Sequence, residues 1–374
     1  NPVSTTTYTV TATITATGCT ATDAVIVTVN KTPPTANAGT DKTNNCITPS
    51  QAIGTASIGG NTYAWSPSLG LSAANIAQPI ANPASTTTYT VTVTNTTNGC
   101  TAFDAVVVTV DKTPPTANAG ADKTNNCISP SQIIGTAAVV GNTYSWAPSS
   151  GLSATNIAQP TANPLATTTY TVTVTNSTNG CTATDAVVVT VNKTPPTANA
   201  GVDKTNTCTT ISQTIGTAAV VGNSYSWAPS SGLSASNIAQ PVANPAATTS
   251  YTVTATNTTN GCTATDVVLV TVNKTPPTAD AGVDKTNTCA IPSQTIGTAA
   301  VVGNTYTWTP SSGLSATNIA QPTANPTSTT TYTVTVTNTT NGCTATDIVL
   351  VTVNKTPPSV GTTATSTTIC AGAS

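Results

Sequence analysis

Residues 167–176 read TTTYTVTVTN and residues 182–191 read TATDAVVVTV, with Asn179-Gly180 between them. In the first run Tyr170, Val172 and Val174 fall on one side of an extended chain, and Thr169, Thr171, Thr173 and Thr175 on the other. That alternation is the mark of a half-buried strand. Asn-Gly tolerates positive φ, so the chain is expected to return through the second, Val-rich run as a hairpin. Further upstream, residues 132–140 and 143–147 are expected to pair across Gly141-Asn142, with Tyr144 and Trp146 on one face. Pro148, Pro160 and Pro164 break the middle into short irregular pieces, which edge strands tolerate and central strands do not. No helical period occurs anywhere, and six or seven short strands separated by Pro, Gly and Asn indicate an antiparallel sandwich.

The pattern repeats every 81 residues without insertion or deletion, as Tyr8, Tyr89, Tyr170, Tyr251 and Tyr332 show. A sustained period of this kind means a tandem array of one module. Complete units are expected at 32–112, 113–193, 194–274 and 275–355, with partial units at 1–31 (the last strands of a unit) and 356–374 (the first strand). Both ends cut through a unit's hydrophobic pattern, so the chain reads as a window on something longer. Lys-Thr-Pro-Pro segments at 112–115, 193–196 and 274–277 are expected to be short, stiff linkers, since two prolines lack donors and favour extended backbone.

Composition excludes several functions. The sequence has no His, Met, Arg or Glu; its eleven acids are all Asp and its nine bases all Lys. Such a chain lacks most of the general acid and base inventory, so no catalytic residue, cofactor site or metal site is expected. A net charge of −2 gives no basic footprint for nucleic acid, and no apolar run reaches the roughly 20 residues needed to span a bilayer.

The runs 117–122 (ANAGAD), 144–146 (YSW) and 169–175 (TYTVTVT), followed by a Val-rich last strand, resemble PKD-type immunoglobulin-like domains. Residues 146–153 (WAPSSGLS), Asn163-Pro164, residues 168–170 (TTY) and 179–185 (NGCTATD) resemble repeats of large surface proteins of gliding Bacteroidota, including motility adhesins. The resemblance implies a linear tandem array of seven-stranded sandwiches, export through the type IX system, and a structural or adhesive role. The acidic cluster sometimes seen in PKD-type loops is missing here.

Individual residues follow from the sandwich reading. Trp65, Trp146, Trp227 and Trp308, each two residues after a Tyr on the same strand face, are expected to be core anchors together with Tyr89, Tyr170, Tyr251 and Tyr332. Stacking of those tryptophans on sugars is the rival role. Asp23, Asp104, Asp185, Asp266 and Asp347 stand apart from other acids in sequence and are read as hydrogen-bonding groups of the surface or of turns. Asn-x-Thr/Ser sequons recur at Asn95, Asn176, Asn257 and Asn338, and at Asn30, Asn192, Asn273 and Asn354, as chance allows in so Thr-rich a chain.

The ten cysteines occupy two fixed positions per unit, never as C-x-x-C, which favours disulfides over zinc and places the chain in an oxidising compartment, extracellular or at the cell surface. Two pairings are open. One stays within a unit: Cys46–Cys100, Cys127–Cys181, Cys208–Cys262 and Cys289–Cys343. Under the immunoglobulin-like strand order, however, those cysteines lie in turns at opposite ends of a sandwich, about 25 Å apart, whereas bridged Cα atoms lie within about 7 Å. A head-to-tail array instead favours bridges between neighbouring units, Cys46–Cys181, Cys127–Cys262 and Cys208–Cys343.

The leading functional reading is a stalk or extracellular filament segment, in which the partners are neighbouring repeats of the same chain and identical chains alongside in a fibre. The alternative is adhesin repeats that themselves bind surface polysaccharide or another surface ligand. Ice binding through the Thr rows is a third idea, weakened because each unit offers one strong row.

Overall fold

The structure, a computed structural model, describes residues 1–361. It is all-β: strands β1 (Thr6–Thr13) and β2 (Thr20–Val27) form an N-terminal hairpin. The first complete repeat then supplies β3 (Lys42–Asn44), β4 (Gln51–Ala52), β5 (Asn61–Ser66), β6 (Ile80–Ala81), β7 (Thr87–Asn95) and β8 (Thr101–Val110). The second supplies β9 (Lys123–Asn125), β10 (Gln132–Ile133), β11 (Asn142–Ala147), β12 (Thr161–Ala162), β13 (Thr168–Asn176) and β14 (Thr182–Val191). The same six strands recur in the two later repeats. By contact density the chain divides into two compact units, Asn1–Asn192 and Lys193–Ser374, each with two complete repeats.

Each repeat is a small immunoglobulin-like sandwich. In the second, a four-stranded sheet in the order β11-β13-β14-β9 faces a two-stranded sheet, β10-β12. All neighbours are antiparallel except β9, which runs parallel to the end of β14. The seventh strand implied by the family resemblance is not laddered: six strands carry the pairing, and an isolated bridge, Leu152–Ala162, adds to the small sheet. Prolines 148 and 160 flank the segment between β11 and β12 and withhold the donors that a further strand would need.

A second expectation also changes. Residues 132–140 do not pair with 143–147; β10 pairs with β12, and β11 with β13. Ile134 is buried and its N–H donates to the Pro160 carbonyl, while the Gly135 N–H donates to Ala119. Those donors are thereby spent on other partners. Gly135 has φ of +81°, and a Cβ there would overlap the Ala158 carbonyl and touch the Trp146 ring, so the chain turns at a point only glycine fills. Beyond it the run of Ala and Val does not alternate, and Val140 stands fully in solvent.

The core lies between the sheets. Tyr170, Val172 and Val174 of β13, Val187 and Val189 of β14, Trp146 of β11, Ile134, Ala119 and Ala162 are buried together, with Ala117, Tyr144 and Leu152 packed at the margin. Equivalent clusters form in the other three complete repeats. Asn125, wholly buried at the end of β9, donates from Nδ2 to the Ala162 carbonyl and ties the two sheets together (3.0 Å). On the outer side of the large sheet, Thr143, Thr175 and Thr182 stand in register, followed by Ser145, Thr173 and Thr184, and then Ala147, Thr171 and Ala186. Phe103, at a position held by Thr184 in the next repeat, lies outside and 79% exposed.

Candidate functional site: the junction between repeats

Chemistry-bearing side chains gather where one repeat meets the next. The β13–β14 turn begins with Asn176, whose Oδ1 accepts from the Thr178 N–H (2.8 Å), and closes with the Gly180 N–H donating to the Asn176 carbonyl. This places Asn179 at the tip, 2% exposed, with Oδ1 accepting from the Cys181 N–H (2.9 Å). Its Nδ2 donates to Asp111 Oδ1 and to the Thr113 carbonyl, both at 3.0 Å. Its own carbonyl accepts from the Cys46 N–H of the preceding repeat (3.0 Å). Gly180 has φ of +70° and carries Ile47 where a Cβ would stand, so the preceding repeat sits directly on the turn backbone.

A covalent bond completes the contact. Cys46 and Cys181 are joined with S–S 1.99 Å and Cα–Cα 5.0 Å. In the second unit Cys208 and Cys343 are joined in the same way (Cα–Cα 5.0 Å), beside Asn341, whose Nδ2 donates to Asn273 Oδ1 and the Thr275 carbonyl. Both bridges span 135 residues and link neighbouring repeats. The within-unit alternatives Cys46–Cys100, Cys127–Cys181, Cys208–Cys262 and Cys289–Cys343 therefore do not hold, because Cys46, Cys181, Cys208 and Cys343 are bonded elsewhere and Cys100 and Cys289 are free. The physical reason is strand geometry: Cys46 follows β3 and Cys100 precedes β8, and these run parallel with β3 paired to the far end of β8. Cys19, Cys100 and Cys289 are free. Cys127 lies between β9 and β10, and Cys262 is 1% exposed in the turn after Asn260. Cys370 falls outside the described residues.

The linker is held from both sides. Lys112 Nζ folds back on its own repeat, donating to Asn82 Oδ1 (3.2 Å) and the Pro49 carbonyl, while Asp111 and Thr113 are gripped by Asn179. Lys274 makes the same return to Asn244 (3.0 Å), and Lys355 to Asn325. In sequence Asn179 is a turn residue, and its junction role is not visible there. The available signal is its recurrence near a cysteine, as Asn-Gly-Cys in each of the four complete repeats.

The other singled-out residues are structural in position. Trp65, Trp146, Trp227 and Trp308 are 1–4% exposed, and Trp146 Nε1 donates to the Ile157 carbonyl (2.9 Å). Tyr89, Tyr170, Tyr251 and Tyr332 are fully buried, and Tyr170 donates its hydroxyl to the Ser150 carbonyl (2.6 Å). Burial raises all four phenol pKa values above the ordinary 10.0. The folded state thus holds protons that the unfolded chain releases. The stabilisation is complete below the unfolded value and is lost as pH climbs through the raised folded value. We expect these four phenols to ionise only as the fold opens at alkaline pH; their titration at ordinary pH in the intact fold would contradict this. Asp185 Oδ2 accepts from the Ala119 N–H (2.7 Å) and Asp122 Oδ1 from the Val188 N–H, so each carboxylate pins the first segment to the last strand. The sequon residues Asn95 and Asn176 spend their side-chain carbonyls on turn N–H groups. Among the described residues no group of three or more His, Cys, Asp or Glu gathers. A shallow concavity of about 290 Å³ between Pro67, Leu69 and Pro83 has no titratable side chain in its lining.

Asn179 and Asn341 give a matched test. Asn179→Asp removes the donor and sets a carboxylate against Asp111 and the Thr113 carbonyl at a buried position, which is expected to cost about 3 kcal/mol at neutral pH. Asn341→Asp faces Asn273 instead and should cost less. Hydrogen exchange of the two turns reads the difference, and equal effects would remove Asp111 from the account.

No protein-family model matches the chain, and no curated protein does. Among solved structures it is similar to the protocadherin gamma B4 extracellular domain (10% identity, 94% of this chain and 71% of that one, TM-score 0.37). It is also similar to the N-terminal eight Ig domains of Down syndrome cell adhesion molecule (12%, 93% and 52%, TM-score 0.30) and to an I-band fragment of titin (11%, 65% and 100%, TM-score 0.33). The assignment of a tandem immunoglobulin-like repeat protein stands on the strand pairing described above.

Proposed function

We propose that this chain is a stalk or filament segment of a large repetitive extracellular protein, with no catalytic centre and no cofactor. The observation that supports it is the junction: the residues most specifically positioned by the fold serve to join repeat to repeat, by a disulfide, a buried Asn and a doubly anchored linker. The likeness of its motifs to PKD-type surface repeats of gliding Bacteroidota supports export through the type IX system and attachment at a cell surface. In this reading the repeat boundaries are 32–112, 113–193, 194–274 and 275–355, and identical chains are lateral partners. The sugar-stacking role loses its platform, since the four tryptophans are buried. Electron microscopy of the native assembly tests the proposal. Extended, evenly beaded particles support it, whereas compact globules, or saturable binding of polysaccharide by the repeats in solution, would favour the adhesin alternative.

A further inference from the structure

We infer that the bridges limit how far tension can draw the chain out, so that a pulled chain is held at a fraction of its length with most of each repeat closed inside covalent loops. The inference rests on the stalk reading for its biological meaning and on bond connectivity for its mechanics. Force applied at residue 1 travels along the backbone to Cys46 and crosses to Cys181 through the disulfide. It continues along residues 182–208, crosses from Cys208 to Cys343, and leaves through the last segment. Everything between Cys46 and Cys181, and between Cys208 and Cys343, hangs off that path. The first loop holds β4 to β8 and β9 to β13, including Trp65, Trp146, Tyr89 and Tyr170. The second holds Trp227, Trp308, Tyr251 and Tyr332.

Of the second repeat only β14 lies on the path; its Val187 and Val189 belong to the core, so drawing it out opens that core while β9 to β13 stay inside the loop. At 3.3–3.6 Å per residue, residues 182–208 reach at most about 100 Å even when fully drawn out. An unbridged pair of repeats has far more to give: the 135 residues closed by either bridge would extend to about 450–490 Å. The bridge spacing is what produces this. A pairing inside each repeat would leave every linker and both flanking segments in series with the load, whereas these bridges jump from the start of one repeat to the last strand of the next.

Single-molecule stretching of the oxidised chain from its two ends tests the inference, with the all-Cys→Ser chain as the comparison. On the connectivity above, the oxidised chain stops at roughly 350–380 Å, and the cysteine-free chain reaches roughly 1,230–1,340 Å, about 3.5-fold longer. A limit near 520–570 Å in the oxidised chain is the signature of within-repeat pairing and would overturn the inference, as would full extension in repeat-sized steps. Because the final lengths are read on fully drawn chains, the comparison holds even if the cysteine-free chain folds poorly. A compact particle in the microscope would remove the stalk reading and leave these lengths unchanged.

Discussion

Trp146→Ala is expected to lower the stability of its repeat by about 3–5 kcal/mol, the usual cost of deleting a large buried aromatic. The indole is 3% exposed, touches the one point where Gly135 lets the chain turn, and donates from Nε1 to the Ile157 carbonyl. Alanine would leave a cavity and an unpaired carbonyl together. That loss rivals the whole stability of a small domain, commonly about 5–15 kcal/mol. The other three complete repeats serve as internal controls. Amide exchange in residues 168–191 should accelerate strongly while the equivalent strands 81 and 162 residues on stay protected; uniform protection would show that the tryptophan is not an anchor.

Loss of the Cys46–Cys181 bridge is expected to be comparably severe. On the loop-entropy model a closed span of 135 residues is worth about 5 kcal/mol. The hydrogen bonds of the same junction contribute about 0.5–1.5 kcal/mol each. The covalent bond therefore outweighs any one of them, and the Asn179 contacts position what the disulfide secures. Cys46→Ser with Cys181→Ser should lower the guanidinium midpoint of the first unit, and Cys208→Ser with Cys343→Ser that of the second. An unchanged midpoint in both would show that the reduced junction is as stable as the oxidised one.

Much of this fold is readable in the sequence because two signals coincide. The alternation in TTTYTVTVTN and the 81-residue return of every Tyr, Trp and Cys together give the central hairpin and the tandem plan. What stayed hidden was non-local. β9 is three residues long and pairs in parallel with a strand more than 60 residues away, a contact no local pattern announces. The stretch 132–140 looked like half a hairpin because it is apolar, yet Ile134 enters the core alone and Val140 points into water. Asn179 is legible as a turn former, but its grip on Asp111 and Thr113 depends on where the preceding repeat lies.

The hydroxyl rows on the outer side of the large sheet bear on where such a chain can work. Thr143, Thr175, Thr182, Ser145, Thr173 and Thr184 offer water neutral donors and acceptors, and the whole sequence carries a net charge of only −2. Screening shortens from about 8 Å at physiological ionic strength to about 3 Å at 1 M, and a sheet face lined with hydroxyls has little to screen. Its hydration and its approach to a like surface accordingly change little between dilute water and brine. A sheet face clad in threonine keeps one character across salinities that would collapse or repel a face clad in lysine and aspartate.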